Sequence, residues 1–164
     1  DATYFWWHIR PSIRYPTLEL RVADSCTRLK DTLAIAALYR CLVRLCVRRP
    51  ELNARPTGAS RGFVMENLWR AQRSGTEAEL IDEASEEALP FAQALDNLLA
   101  LIAADAAALG CEPEVAQARR ILADGTSAER QAATFEGARD GDTSNRQALD
   151  AVVDWLAETT CGQG

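Results

Sequence analysis

The sequence predicts an α+β fold that is mostly helical, with an N-terminal antiparallel β-hairpin packed on a helical region that occupies the rest of its 164 residues. Three observations carry this expectation. Residues 3–24 are rich in aromatic and β-branched side chains that alternate with polar ones, and a proline-containing stretch interrupts them once. Residues 28–48 are apolar at helical spacing and stop at Pro50. Beyond Gly62, further helical stretches follow one another with Gly and Pro at stop and start positions.

The hairpin comes first. Thr3 to Arg10 reads as extended, Pro11 to Tyr15 with Pro16 as a loop, and Thr17 to Ala23 as the returning strand. Alternation sends Leu18, Leu20 and Val22 toward the core and puts Thr17, Glu19 and Arg21 on the opposite face. With Phe5, Trp7 and Ile9, those apolar residues form a face that the next helix is expected to cover. Asp24, Ser25 or Thr27 supplies a cap for that helix, which runs from about Arg28 to Arg48. It is apolar almost all round except for Arg40, Arg44 and Arg48, four apart on one stripe, so it should be central and buried with this stripe at the surface or against acidic neighbours.

Residues 51–60 read as a polar connection carrying Pro56 and Gly58. Gly62 to Arg73 is the next helix, with Glu66 and Arg70 as a favourable i, i+4 pair. Ala78 to Asp82 suits a short strand or a turn. Pro90 opens a helix that ends at Gly110, and helices over about 113–123, 127–137 and 144–160 complete the chain, with a loop at Gly137 to Thr143. The chain reads as a single domain, 1–164, made of a hairpin (1–24) and a helical region (25–164).

Composition bounds the function. With 48% hydrophobic and 26% charged residues, the chain has the makings of one globular core. Five cysteines, Cys26, Cys41, Cys46, Cys111 and Cys161, are odd in number and lack paired C-x-x-C or Cys/His spacing, so they read as buried or incidental thiols. No apolar run reaches the roughly 18 residues of a membrane span, and the start lacks a signal-peptide pattern, so a cytoplasmic protein without a membrane partner is expected. Net charge is −6, but residues 1–50 carry nine Arg/Lys against four Asp/Glu. That asymmetry suits an anionic small ligand, while the acidic remainder and a pI near 4.9 speak against nucleic acid.

Chemistry concentrates in Glu19 and Arg21. On one strand face they stand roughly 6.5 to 7 Å apart, a spacing that suits a cation held by the carboxylate beside a phosphate held by the guanidinium. An ordinary cross-strand ion pair on a solvated face fits the same spacing. His8, the sole histidine, shares the face of Arg10 and is either a ligand contact or a packed residue among Tyr4, Trp6 and Trp7. Neither a phosphate loop nor a nucleophile elbow is present.

The larger pattern is more specific. Trp7-x-x-Arg10-Pro11, Thr17-x-Glu19-x-Arg21-x-x-Asp24, then Glu66-Asn67-Leu68-Trp69-Arg70-Ala71-Gln72-Arg73-Ser74-Gly75 with Ala78 to Asp82, and finally Gly125-Thr126 through Arg130-Gln131 to Val152-Val153-Asp154-Trp155-Leu156 follow one another in order. Together they resemble the C-terminal half of the bacterial carboxylate-amine ligases, the type 2 glutamate-cysteine ligase family within the glutamine synthetase superfamily. The resemblance implies that the chain, which opens on Asp1 without an initiator Met, is a fragment of a larger ligase catalytic domain, and that the hairpin is a remnant of a larger antiparallel sheet.

For the intact enzyme the resemblance implies ATP-dependent phosphorylation of the γ-carboxylate of glutamate to an acyl phosphate, which an amine acceptor then displaces. Mg2+ and ATP are the implied cofactor and co-substrate. Glu19 becomes a metal ligand; Arg21 and Arg10 hold the transferring phosphoryl group, with Arg14 as a further phosphate contact. His8, Asn67, Arg70 and Arg73 become candidates for the substrate side. The fragment alone is expected to be inactive, and its unpaired strand edges imply a homo-oligomer. A non-catalytic helical interaction module, or a kinase or phosphatase-like enzyme, remain alternative readings of the same residues.

Overall fold

The computed structural model describes residues 4, 6–54, 56–139 and 144–162. Its architecture is the expected one, mostly helical with small antiparallel hairpins. The elements are β1 (Ile9–Pro11), β2 (Leu18–Leu20), α1 (Leu29–Arg48), α2 (Gly58–Ser74), β3 (Glu79–Asp82), β4 (Glu87–Pro90), α3 (Phe91–Leu109), α4 (Glu112–Asp124), α5 (Ser127–Ala138) and α6 (Asn145–Cys161). Phe5 and residues 140–143 of the expected 137–143 loop lie outside the described residues.

The first hairpin is shorter than its sequence suggests. Among the described residues three on each side pair, in the register Ile9 to Leu20, Arg10 to Glu19 and Pro11 to Leu18. Pro11, expected in the loop, sits inside β1. The Arg21 amide donates to the His8 carbonyl at 2.7 Å and extends the ladder by one bond. Its apolar face is only loosely covered: Ile9, Leu18 and Val22 remain about half exposed, and an open cleft of about 490 Å³ separates Leu18 and Leu20 from Ile35, Ala36 and Tyr39 of α1. The aromatic residues Tyr4, Trp6 and Trp7 are also exposed, so His8 is not packed among them as expected but is itself exposed.

Helix α1 starts one residue later than expected, with Arg28 as its N-cap and no side-chain cap. None of the expected caps serves. Thr27 Oγ1 hydrogen-bonds Ser127 Oγ of α5, and Asp24 Oδ1 accepts from the Ser25 amide at 2.8 Å. The helix buries one face, through Ala34, Ala37, Cys41 and Leu45, rather than its whole circumference. That face packs on Leu99, Ile102 and Ala106 of α3 and on Val115 and Ala118 of α4, which makes α1 the central element. Asp31 in its first turn is buried yet satisfied, accepting from Arg28 Nε at 2.7 Å and from Gln117 Nε2 of α4 at 2.9 Å. The expected acidic partner of the arginine stripe is Asp105 of α3, which pairs with Arg44 and Arg48.

Helix α2 begins at Gly58, four residues ahead of expectation, because Thr57 and Ser60 form a reciprocal cap in which Thr57 Oγ1 accepts from the Ser60 amide and Ser60 Oγ from the Thr57 amide. Of the short strand or turn expected over Ala78 to Asp82, the strand forms, and it has a partner with no counterpart in the sequence reading. β3 pairs with β4 from Glu79 opposite Pro90 to Asp82 opposite Glu87. The turn between them depends on Glu86 at φ 59°, a left-handed conformation in a residue type that gives no such signal. Pro90 therefore closes a strand and caps α3 at once.

α3 corrects the membrane reading. By length and composition this 19-residue helix could cross a bilayer, although Asp96, Asn97 and Asp105 interrupt its apolar run. In this fold its apolar side chains build the core with α1 and α4, and Asp105 makes ion pairs. Gly110 ends the helix at φ 60°, where a side chain would be strained. α5 and α6 form a helical hairpin whose N-termini carry reciprocal caps, Thr126 with Glu129 and Ser144 with Gln147.

Candidate functional site

β1 and β2 put Arg10 directly across from Glu19, a consequence of the register that pairs Ile9 with Leu20. Both Nε and Nη2 of Arg10 donate to Glu19 Oε2, at 3.0 and 2.7 Å. Two residues on, just past the end of β2, Arg21 Nη1 donates to the other oxygen, Oε1, at 2.8 Å. One carboxylate is thus clamped by two guanidiniums, and the cluster carries a net positive charge. The hydrogen bond from Arg10, reinforced by the charges of both arginines, holds the Glu19 carboxyl below its ordinary range. The arginine side chains are more enclosed than the glutamate between them.

Trp6 completes this cluster. Its ring centroid lies 4.7 Å from the Arg21 guanidinium carbon, so Arg21 is held by a carboxylate at one side and an aromatic face at another. In the sequence Trp6 stands only as one of the aromatic residues around His8; the signal that could have found it is its place just before an arginine-bearing strand. Arg14 sits exposed in the turn between β1 and β2, and His8 is exposed just before β1.

The second set of candidates lies on α2 and is largely engaged with the second hairpin. Asn67 makes a two-bond bridge to the backbone of Ile81, donating through Nδ2 at 2.8 Å and accepting at Oδ1 from the amide at 2.7 Å. Arg70 donates to Glu66 at 2.9 Å and to the Glu79 carbonyl at 3.1 Å. Arg73 lies over the Trp69 ring. Arg70 and Arg73 line an open depression of about 420 Å³ with Trp69, Ser74, Glu77 and Glu79. No hydrogen bond or ion pair between described residues joins this set to the Glu19 cluster.

The donor set can be weighed against a divalent cation. Both Glu19 oxygens already accept from arginine, and the described residues contain no group of three or more His, Cys, Asp or Glu that could hold a metal. These residues by themselves do not make a cation site. They do suit an oxyanion, since two guanidiniums beside a single carboxylate leave a net positive charge on the cluster.

Comparison with known proteins agrees with this reading at the level of family. Residues 1–151 match the model of glutamate-cysteine ligase family 2. A relative in Rhodospirillum rubrum is 50% identical over 160 residues, covering 98% of this chain and 41% of its own length. One in Paracoccus denitrificans is 40% identical over 158 residues (96% and 42%), and one in Bradyrhizobium diazoefficiens is 40% identical over 160 (98% and 35%). All three carry the name "Putative glutamate--cysteine ligase 2". The chain spans about two-fifths of the length of these curated relatives. No solved structure matches it. With nearly its whole length matched by the family model, the chain belongs to glutamate-cysteine ligase family 2.

Proposed function

We propose that this chain supplies the phosphoryl-handling edge of an ATP-dependent carboxylate-amine ligase that joins the γ-carboxylate of glutamate to an amine through an acyl phosphate. Family membership supports the reaction class, and the observation that carries the assignment to particular residues is the Arg10–Glu19–Arg21 clamp on β1 and β2. Phosphoryl transfer asks a protein mainly for positioning and for charge neutralisation around the transferring group. Two guanidiniums fixed on paired strands do that for a phosphate, and Glu19 and Trp6 set their orientation.

Within this reading Arg10 and Arg21 contact the transferring phosphoryl group and Arg14 a more distal phosphate of ATP. Glu19 offers one carboxylate to a magnesium ion whose other ligands lie beyond the described residues. The depression at Arg70 and Arg73, with Asn67 as its structural support and His8 at the hairpin entrance, is the candidate substrate side. The amine acceptor stays open. The 164-residue chain by itself is inactive, because it offers a single carboxylate and a few arginines without an opposing wall.

The test uses the intact ligase that contains these residues. Glutamate, Mg-ATP and a panel of amines including cysteine should yield phosphate and a γ-glutamyl amide in equal amounts. Glu19→Gln, which keeps the size of the side chain but frees both arginines from their counterion, should lower turnover by about two orders of magnitude or more with the melting temperature nearly unchanged. Phosphate release without amide would favour a kinase or phosphatase-like reaction. A variant within a few-fold of wild type would remove Glu19 from the site.

A further inference from the structure

Cys41 of α1 and Cys111, the N-cap of α4, are separated by 70 residues, yet their sulfurs lie 3.7 Å apart in the core. Cys41 is 0% and Cys111 6% exposed, and Leu45, Ile102 and Val115 belong to the same cluster. The other three cysteines are partly or fully exposed and make no such pair among the described residues. Neither thiol has a role in the proposed ligase chemistry.

We propose that Cys41 and Cys111 are a latent disulfide, a modification site at which peroxide joins α1 to the start of α4. Cys111, the less enclosed residue of the two, attacks the O–O bond of hydrogen peroxide as a thiolate; that bond breaks, hydroxide leaves and a sulfenic acid forms. The Cys41 sulfur then attacks it, the S–O bond breaks, and water departs as the S–S bond closes. Two thiols and one peroxide give one disulfide and two waters. The contact already present means that closure needs side-chain rotation and a small approach of two helices, not a change of fold.

The enclosure sets the choice of oxidant. Burial, with Cys111 beside it, pushes the Cys41 thiol up to about 11, and the enclosure of both residues keeps bulky reagents out. Hydrogen peroxide is small enough to enter during local opening, whereas a glutathione-sized disulfide is not. The site should therefore discriminate by oxidant size, the reverse of what exposed Cys46 and Cys161 would do.

The experiment treats the 164-residue chain, and a Cys26→Ser/Cys46→Ser/Cys161→Ser form that keeps only the pair, with peroxide or with oxidised glutathione. Each sample is then denatured in an alkylating agent and mapped by mass spectrometry. The expected result is a Cys41–Cys111 linked peptide lighter by two hydrogens, formed with peroxide and not with glutathione. A melting-temperature rise on the order of 10 °C, for closing a 70-residue loop, should be reversed by a phosphine reductant. Both thiols alkylated in full after peroxide has consumed Cys46 and Cys161, or Cys111 driven to sulfinic acid without a link, would overturn the proposal. The mapping of the unmodified chain decides the matter even if the triple variant fails to fold.

Discussion

Arg48 of α1 and Asp105 of α3 are joined by two hydrogen bonds, Nη2 to Oδ2 at 2.8 Å and Nε to Oδ1 at 3.2 Å, with Asp105 wholly enclosed. Arg44, one turn earlier, reaches the same Oδ1. An anion in a core of leucine, isoleucine and alanine survives only because two cations reach it from the rim of α1.

Replacing Asp105 by asparagine keeps its shape and strands both arginines. The melting temperature at neutral pH should fall by roughly 10 °C. The hydrogen bond from Arg48, followed by that from Arg44, holds the Asp105 carboxyl below its ordinary range. Its contribution is therefore complete above the unfolded-state value of about 3.9 and is lost as the pH falls through the lower folded-state value. Melting curves from neutral pH to pH 3 should show wild type losing its advantage over Asp105→Asn at the acid end. Parallel curves would mean that the ion pair contributes nothing.

Arg21→Lys in the intact ligase keeps the charge but loses the planar fork that bonds Glu19 at 2.8 Å while facing Trp6 at 4.7 Å. Turnover should drop by about tenfold or more, with the Michaelis constant for ATP raised. If both constants stay at their wild-type values, Arg21 serves only the hairpin.

The 164-residue chain alone should neither hydrolyse ATP nor bind it tightly, since among its described residues no group of three potential metal ligands assembles. Titration calorimetry with Mg-ATP checks this: heat consistent with micromolar, magnesium-dependent binding would show that the chain is a self-sufficient nucleotide site.

β1 and β2 form a two-stranded sheet with no further strand on either side among the described residues, and Tyr4, Trp6 and Trp7 stand exposed beside it. Such edges pair readily with another chain. The isolated chain should associate through them with rising concentration, and size-exclusion with light scattering should report a dimer or larger. Ile9→Lys should shift the population toward monomer; a wild-type monomer at every concentration would refute the edge-pairing idea.

Local chemistry made much of this protein legible from its sequence. Pro50 and Gly110 stop α1 and α3, Pro90 precedes α3, the four-residue spacing of Arg40, Arg44 and Arg48 set them on one stripe, at the surface or against acidic neighbours, and the motif order identified the family. Helical period and turn chemistry are properties of neighbours in sequence, so they survive without tertiary information. The tertiary structure decided the rest. Thr27 left its capping position for Ser127, one hundred residues away, and the β3–β4 hairpin is tied to α2 through the two bonds of Asn67 to the Ile81 backbone. Spacing along β2 placed Glu19 and Arg21 on one face, but only the cross-strand register showed that Arg10 takes the second oxygen of Glu19. The contact of Cys41 with Cys111 was likewise invisible, because packing of α1 on α4, not any pattern in the chain, brings the two sulfurs together.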